Sequence, residues 1–297
     1  MGVPLNVDVA GSISELQSAL RDFEIRLKLY RILFRGKGLD FEGFRSYTPE
    51  DDSSMIDWRS TVRANKLLVK QYKEEQDIKV MFVVDTGEHM ITGSSPKLKA
   101  EYMVEAVSAL MHLVLKAGDK IGLITFNEKM TNMIPPKKGN NHFDAIVDCL
   151  SDSANYRGGS DIEGMVEFLI DYVDSSVKSV IFVSDFISLK PKVLQRMQVL
   201  GTKFETLAIM IKDPLDKNLP DISGEVVLED PVTGDQILVN PQVARNAYAM
   251  HAKAQEDLAM SVFKQSGIDV LRMSTDVNFV PELAEFIKER VKQRKVI

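Results

Sequence analysis

Two runs of consecutive apolar residues, each halted by an aspartate, constrain this chain more than any other feature. Val80-Met-Phe-Val-Val84 stops at Asp85, and Ser179-Val-Ile-Phe-Val183 stops at Ser184-Asp185. A short β-branched run that is apolar at every position, not at alternate ones, is the pattern of a strand covered on both faces. Similar runs stand at 120–126, 204–211 and 268–273, and Met130–Ile134 suits a short edge strand before Pro135-Pro136. Helical spacing is expected over 97–116, 141–151, 161–173, 190–199, 241–266 and 278–293. Strands alternating with helices of this length form a mostly parallel sheet with helices on both faces. Asp230-Pro-Val-Thr-Gly-Asp235 is a turn between two β-like pieces, 225–228 and 236–239, and predicts a hairpin.

The first 76 residues read differently. Residues 13–34 suit one amphipathic helix opened by a serine cap and closed at Gly36-Lys-Gly38. Residues 40–76 are charged and irregular, apart from Leu67-Leu-Val-Lys-Gln-Tyr72, which fits an edge strand. The expected organisation is therefore an N-terminal helix and β appendage, 1–76, followed by a main domain, 77–297.

Composition excludes several function classes. The formal net charge is −6, and the excess acid lies in the body of the main domain. That argues against nucleic acid as a partner and suits a cation or a basic protein surface. A single cysteine, Cys149, rules out an intrachain disulfide and a cysteine-based zinc cluster, and a reducing cytoplasm is the compartment expected. No apolar run reaches the ~18–20 residues that span a bilayer. Met1–Asp8 lacks the basic and apolar segments of a secretory signal, and Asn6 replaces the hydroxyl residue of a myristoylation signal.

There is no phosphate-binding Gly-x-x-x-x-Gly-Lys-Ser/Thr, no His-Glu-x-x-His and no Gly-x-Ser-x-Gly elbow. Gly36-x-Gly38 lacks the third glycine of a dinucleotide fingerprint. Oxygen ligands at strand ends remain: Asp85, Asp185, and Ser160 in the turn before a helix. Ligands of open α/β sheets bind outside the strands' carboxyl ends, and two carboxylates with a hydroxyl suit a hard cation such as Mg²⁺. Taken singly, an Asp at a strand end can equally cap the turn that follows it. His89, alone among the four histidines, shares a loop with Asp85.

Residues 38–76 carry a pattern of their own. Gly38-Leu-Asp-Phe41, Arg45-Ser-Tyr47, Asp51-Asp52, Ile56-Asp57-Trp58, Thr61-Val-Arg63 and Val69-Lys70, followed by a strand ending in Asp85, resemble the family called domain of unknown function 58. Leu228–Asp235, Ala244–Tyr248 and Arg272–Asp276 are similar to its later segments, so the likeness spans about 30–293. Glu50 replaces the glycine usual before the paired acids. The resemblance implies a Rossmann-like, three-layer von Willebrand factor A-type domain. Its typical ion site uses Asp-x-Ser-x-Ser after the first strand, a Thr in a later loop and an Asp after the fourth strand. Here the first loop is Asp85-Thr-Gly87-Glu-His89, the later hydroxyl is Ser160 and the last acid is Asp185. Gly87 and His89 remove two oxygen ligands, Thr86 and Glu88 point the wrong way to replace them, and Mg²⁺ does not favour imidazole. The expected site is degenerate, empty or weakly holding Mg²⁺.

The resemblance also implies a protein partner, a MoxR-type AAA+ ATPase. An interaction module of that kind would present Glu88, His89 and Asp161 from its loops. The competing class is an Asp-based, metal-dependent phosphohydrolase with Asp85 as nucleophile. The signature residues Arg45, Tyr47, Asp52, Asp57, Trp58, Arg63 and Lys70 have two readings. Trp58 among arginines fits a partner-binding patch; alternatively, Asp57, Trp58 and Arg63 pin the appendage to the main domain.

Overall fold

A computed structural model describes residues 3–21, 40–48, 56–73 and 77–294. The N-terminal part holds α1 (Val9–Ala19), β1 (Asp40–Ser46), α2 (Trp58–Ala64) and β2 (Leu68–Lys73). The main part runs β3 (Lys79–Asp85), α3 (Lys99–Lys116), β4 (Lys120–Phe126), β5 (Met130–Lys137), α4 (Asn140–Ser151) and α5 (Ile162–Tyr172). It continues with β6 (Val177–Ser184), α6 (Leu194–Lys203), β7 (Glu205–Lys212), β8 (Val226–Glu229), β9 (Gln236–Val239), α7 (Pro241–Gln265), β10 (Asp269–Ser274) and α8 (Phe279–Arg294).

Six strands form the central sheet in the order β5-β4-β3-β6-β7-β10, with every neighbour parallel except the β4–β5 pair. Counted within the sheet, this is the 3-2-1-4-5-6 order of a doubly wound fold, with its switch point between β3 and β6. The register brings Val80 beside Ile121 on one side and Ser179 on the other. Side chains alternate across β3. Val80, Phe82 and Val84 enter one core with Leu16 of α1, Ile146 of α4, Leu283 of α8 and the inner face of α3. Met81 enters the other, with Met165 of α5, Met197 of α6 and Phe263 of α7. Burying each such side chain contributes roughly 1.5–3 kcal/mol, which is why these strands tolerate almost no polar residue before their ends. The result is a Rossmann-like, three-layer α/β arrangement, with helices on both faces of a mostly parallel sheet.

Strands and helices of the main part fall where the apolar periodicity places them, and the hairpin β8–β9 forms around Asp230–Asp235. The expected edge strand at 130–134 continues through both prolines to Lys137. It can, because β5 lies at the sheet edge, where a missing N–H costs no ladder bond. Gly122 of β4 makes room: a Cβ there would stand 2.9 Å from the Ile134 carbonyl oxygen and 3.0 Å from Pro136 Cδ.

The N-terminal expectations need correction. The first helix begins at Val9, because Asp8, not a serine, caps it by accepting from the Gly11 N–H at 2.8 Å. Its Leu16 is buried in the main core; the expected continuation over 22–34 lies outside the described residues. The stretch called irregular contains two elements missed from the sequence, β1 and α2. β1 pairs antiparallel with β2 in a two-stranded sheet separate from the central one. Asp57 caps α2 through the Ser60 N–H at 2.8 Å. Trp58 opens that helix with 65% of its surface exposed, so it is not a buried anchor. The bonds that tie α2 to β2 are made by its neighbours: Leu68 N–H donates to Thr61 Oγ1 at 2.9 Å, and Ile56 bridges to Val69.

Candidate functional site

The crevice at the switch point is built by three strand ends and one loop. β3 delivers Asp85, β6 delivers Ser184 and Asp185, β7 delivers Lys212 and Asp213, and the loop before α5 delivers Ser160. Backbone bonds knit the loops together. Glu88 N–H donates to the Gly158 carbonyl at 2.9 Å, Arg157 N–H to that of Thr86 at 3.0 Å, and Asp161 N–H to that of Asn127 at 2.8 Å. Asp85, Ser160 and Asp185, separated widely in sequence, thus meet as the spacing of the strand ends requires.

Asp85 is fully buried, and its carboxylate accepts three hydrogen bonds. Oδ2 accepts from Ser160 Oγ and from Ser184 Oγ, both at 2.7 Å, and Oδ1 accepts from the Gly87 N–H at 3.0 Å. Asp185 is equally enclosed. Its Oδ2 accepts from Lys99 Nζ at 2.8 Å, and its Oδ1 from the Ile187 N–H at 3.1 Å. The turn that aims Asp185 inward costs strain, since Phe186 has φ of 55°, an outlier for an aromatic residue. Phe186 is held there by rings at 5.5 Å (Phe182) and 4.8 Å (Phe263) and by its N–H donating to Ser184 Oγ at 3.1 Å.

Lys99, at the first position of α3, is 1% exposed. Besides Asp185 it reaches both carboxylate oxygens of Asp216, at 3.3 and 3.2 Å. Burial opposes its charge, but Asp185 and Asp216 outweigh that cost and raise its pKa above the ordinary lysine value. Burial likewise opposes ionisation of Asp185, and Lys99 and His89 overcome it, holding the carboxyl well below the usual carboxylate range. His89 turns inward. Its Nε2 lies 3.4 Å from Asp85 Oδ2 and 3.6 Å from Asp185 Oδ1, an electrostatic contact with both carboxylates. Burial disfavours the imidazolium, yet the carboxylate of Asp185, then that of Asp85, raise its pKa.

Gly87 and His89 are one device. A Cβ on Gly87 would stand 2.5 Å from His89 Cε1 and 2.6 Å from its Nδ1, so the imidazole fills the space a side chain at 87 would need. The residues present do not fit a divalent ion. A hard cation demands open oxygen ligands, whereas here an ammonium and an imidazole already contact the carboxylates. Among the described residues, no group of three or more His, Cys, Asp or Glu side chains gathers to hold a metal.

Of the loop residues expected to face a partner, Asp161 is exposed and caps α5 through the Gly164 N–H at 3.0 Å, Glu88 is half-buried, and His89 is largely enclosed. In the signature, Arg45, Trp58 and Arg63 are exposed, and Tyr47 N–H donates to the Leu67 carbonyl at 2.9 Å. Lys70 lies in β2 opposite Phe44, and Asp52 is outside the described residues. Sequence reasoning missed Lys99, Lys212 and Asp216. Lys99 left one signal: a cation in the first turn of a helix opposes the helix dipole, so something else must compensate it.

A family model described as "Protein of unknown function DUF58" matches residues 43–258. "Uncharacterized protein Rv1480" of Mycobacterium tuberculosis is 24% identical over 290 residues, 93% of this chain and 90% of its own length. "Uncharacterized protein MAV169" of Mycobacterium avium is 32% identical over 113 residues, 37% of this chain and 64% of its own. Among solved structures, the conserved hypothetical protein BatB from Bacteroides thetaiotaomicron aligns with a TM-score of 0.46 at 11% identity, covering 74% of this chain and 100% of that one. An aerotolerance-related membrane protein from Bacteroides fragilis aligns with a TM-score of 0.47 at 13% identity, covering 73% and 99%. Among the described residues, no helix is long and apolar enough to cross a membrane.

Proposed function

The chain belongs to the DUF58 family, and from that premise we propose that it is a non-enzymatic protein-interaction module that partners a MoxR-type AAA+ ATPase in the cytoplasm. The observation that carries this reading is the state of Asp85. A nucleophile has to be reachable and free on one oxygen, but Asp85 is fully buried and both its oxygens accept hydrogen bonds. The crevice supports a scaffold role better: its charges hold loops in place, and the loops' outer rim presents the acids Glu88 and Asp161. The single cysteine fits a reducing compartment.

The competing phosphohydrolase would need a metal beside Asp85, and the ammonium and imidazole stand against that. Docking at this edge is direct, through side chains, with no bridging ion. An acidic rim steers a basic partner surface mainly through the association rate.

Co-purification with a MoxR-type ATPase from the same organism, in each nucleotide state and with or without chelator, tests the reading. A complex insensitive to chelator is expected. Glu88→Gln with Asp161→Asn, which keeps the α5 cap, should slow association at low salt and flatten its salt dependence. No complex under any nucleotide condition overturns the partnership. Hydrolysis of a generic phosphomonoester, abolished in Asp85→Asn, overturns the non-enzymatic reading.

A further inference from the structure

Four carboxylates, Asp85, Asp185, Asp213 and Asp216, share the crevice with three nitrogen side chains, Lys99, His89 and Lys212. Lys99 bridges Asp185 at 2.8 Å and Asp216 at 3.2 Å. His89 stands within 3.6 Å of both Asp85 and Asp185. Lys212, 6% exposed, acts on Asp185 and Asp216 at longer range.

Two buried aspartates on either side of a switch point repel one another, and without a cation between them the crevice would open or take up protons. Lys99 reaches this point from α3, an element of the first core, while Asp185 leaves β6 and Asp216 follows β7. One ammonium therefore ties three chain segments. Gly87 is the complementary vacancy that seats the imidazole. No feature of this arrangement depends on a partner.

We infer that the Lys99 ammonium is the resident cation of this crevice, covalently supplied, and that with His89 it takes the position and the work of a divalent ion. The edge is thereby locked in one arrangement at every divalent-ion level. Removing Lys99 and His89 frees Asp85 and Asp185, the pair His89 now joins, to hold a divalent ion whose other ligands are water. This inference extends the ion-independent docking proposed above but is tested on the isolated protein, so it stands or falls separately from the partnership.

The experiment measures Mn²⁺ binding by electron paramagnetic resonance, and thermal unfolding in Mg²⁺ against chelator, on the full chain. Wild type should show no Mn²⁺ binding below ~1 mM, where even equal ion and Kd would shift stability only slightly. Its melting temperature should be the same in Mg²⁺ and in chelator. Lys99→Met combined with His89→Ser should bind Mn²⁺ at least ~10-fold more tightly than wild type, about 1.4 kcal/mol, and melt higher in Mg²⁺ than in chelator. Lys99→Arg, which keeps the charge, should stay ion-insensitive and covers the case in which the double variant does not fold. Wild-type binding that disappears in Asp185→Ala would overturn the inference. So would Lys99→Arg becoming ion-dependent, or a folded double variant that gains no affinity.

Discussion

Lys99 has the most asymmetric energetics of any residue here. A buried ion pair adds little over a well-packed apolar pair, because desolvation cancels most of the attraction. Removing one partner is another matter, since the survivor is left charged in a dry site. Lys99→Ala would leave Asp185 and Asp216 facing each other across the crevice, and the expected loss is ~3–5 kcal/mol. Urea unfolding of the variant, fitted with an unchanged slope, checks it; a loss below ~1 kcal/mol would show the crevice to be wetter than its burial implies. Asp85 illustrates the same logic without a full charge partner. Two serine hydroxyls and a backbone N–H replace the water it gave up. That set of bonds was not legible in the sequence, because Ser184 stands next to Asp185 and its pairing with Asp85 depends on the register of β3 against β6.

The elements differ in how much of their behaviour is local. β3, β4 and β6 are apolar at nearly every position, and their burial follows from that alone. α2 is the opposite case. Its capping residue, Asp57, is readable, but seven residues are too few for a stable helix in isolation. What orders it is the strand beside it, and which face it turns outward is decided by that contact. Trp58 and Val62, one turn apart, are 65% and 79% exposed. Trp58→Ala should therefore change stability by no more than ~0.5 kcal/mol, the usual range for a surface site. The wild-type indole should emit as a solvent-exposed one. If the variant melts normally and also loses the ATPase, α2 is part of the docking surface; a large drop in melting temperature would mean Trp58 is covered after all. The hairpin β8–β9 is similarly exposed, with Val227, Ile237 and Leu238 largely open to solvent.

Across the whole molecule, the crevice is coupled to the second core through a chain of rings. Phe126 meets Phe182 at 5.5 Å, Phe182 meets Phe186 at 5.5 Å, and Phe186 meets Phe263 at 4.8 Å. These span β4, β6, the turn after Asp185 and α7. Phe182→Ala should cost ~3–5 kcal/mol, because the rigid sheet cannot collapse onto the cavity. It should also loosen the turn at Phe186, whose left-handed backbone is tolerated only while its ring is gripped. Hydrogen exchange at Phe186 and Ile187, rising more than at Val80 or Phe82, is the expected readout. Uniform exchange across both cores would show that the turn is held by its own bonds.

The amino-acid sequence by itself determined the α/β class, the strand and helix positions of the main part, and the fact that Asp85 and Asp185 end buried strands. Those properties follow from periodicity and from the cost of burying polar groups, which act within a few residues of each position. The family signature was also legible there, as was the pairing of Gly87 with His89 in one loop. Only the tertiary structure decided that the imidazole of His89 fills the space beside Gly87. Lys99 lies 86 residues from Asp185, and no local rule says that a lysine opening α3 will point across the sheet into a crevice between β3 and β6. The outward turn of Trp58 and the inward turn of His89 were settled the same way. Each depends on which neighbour occupies the adjoining space, and that neighbour is brought there by the fold.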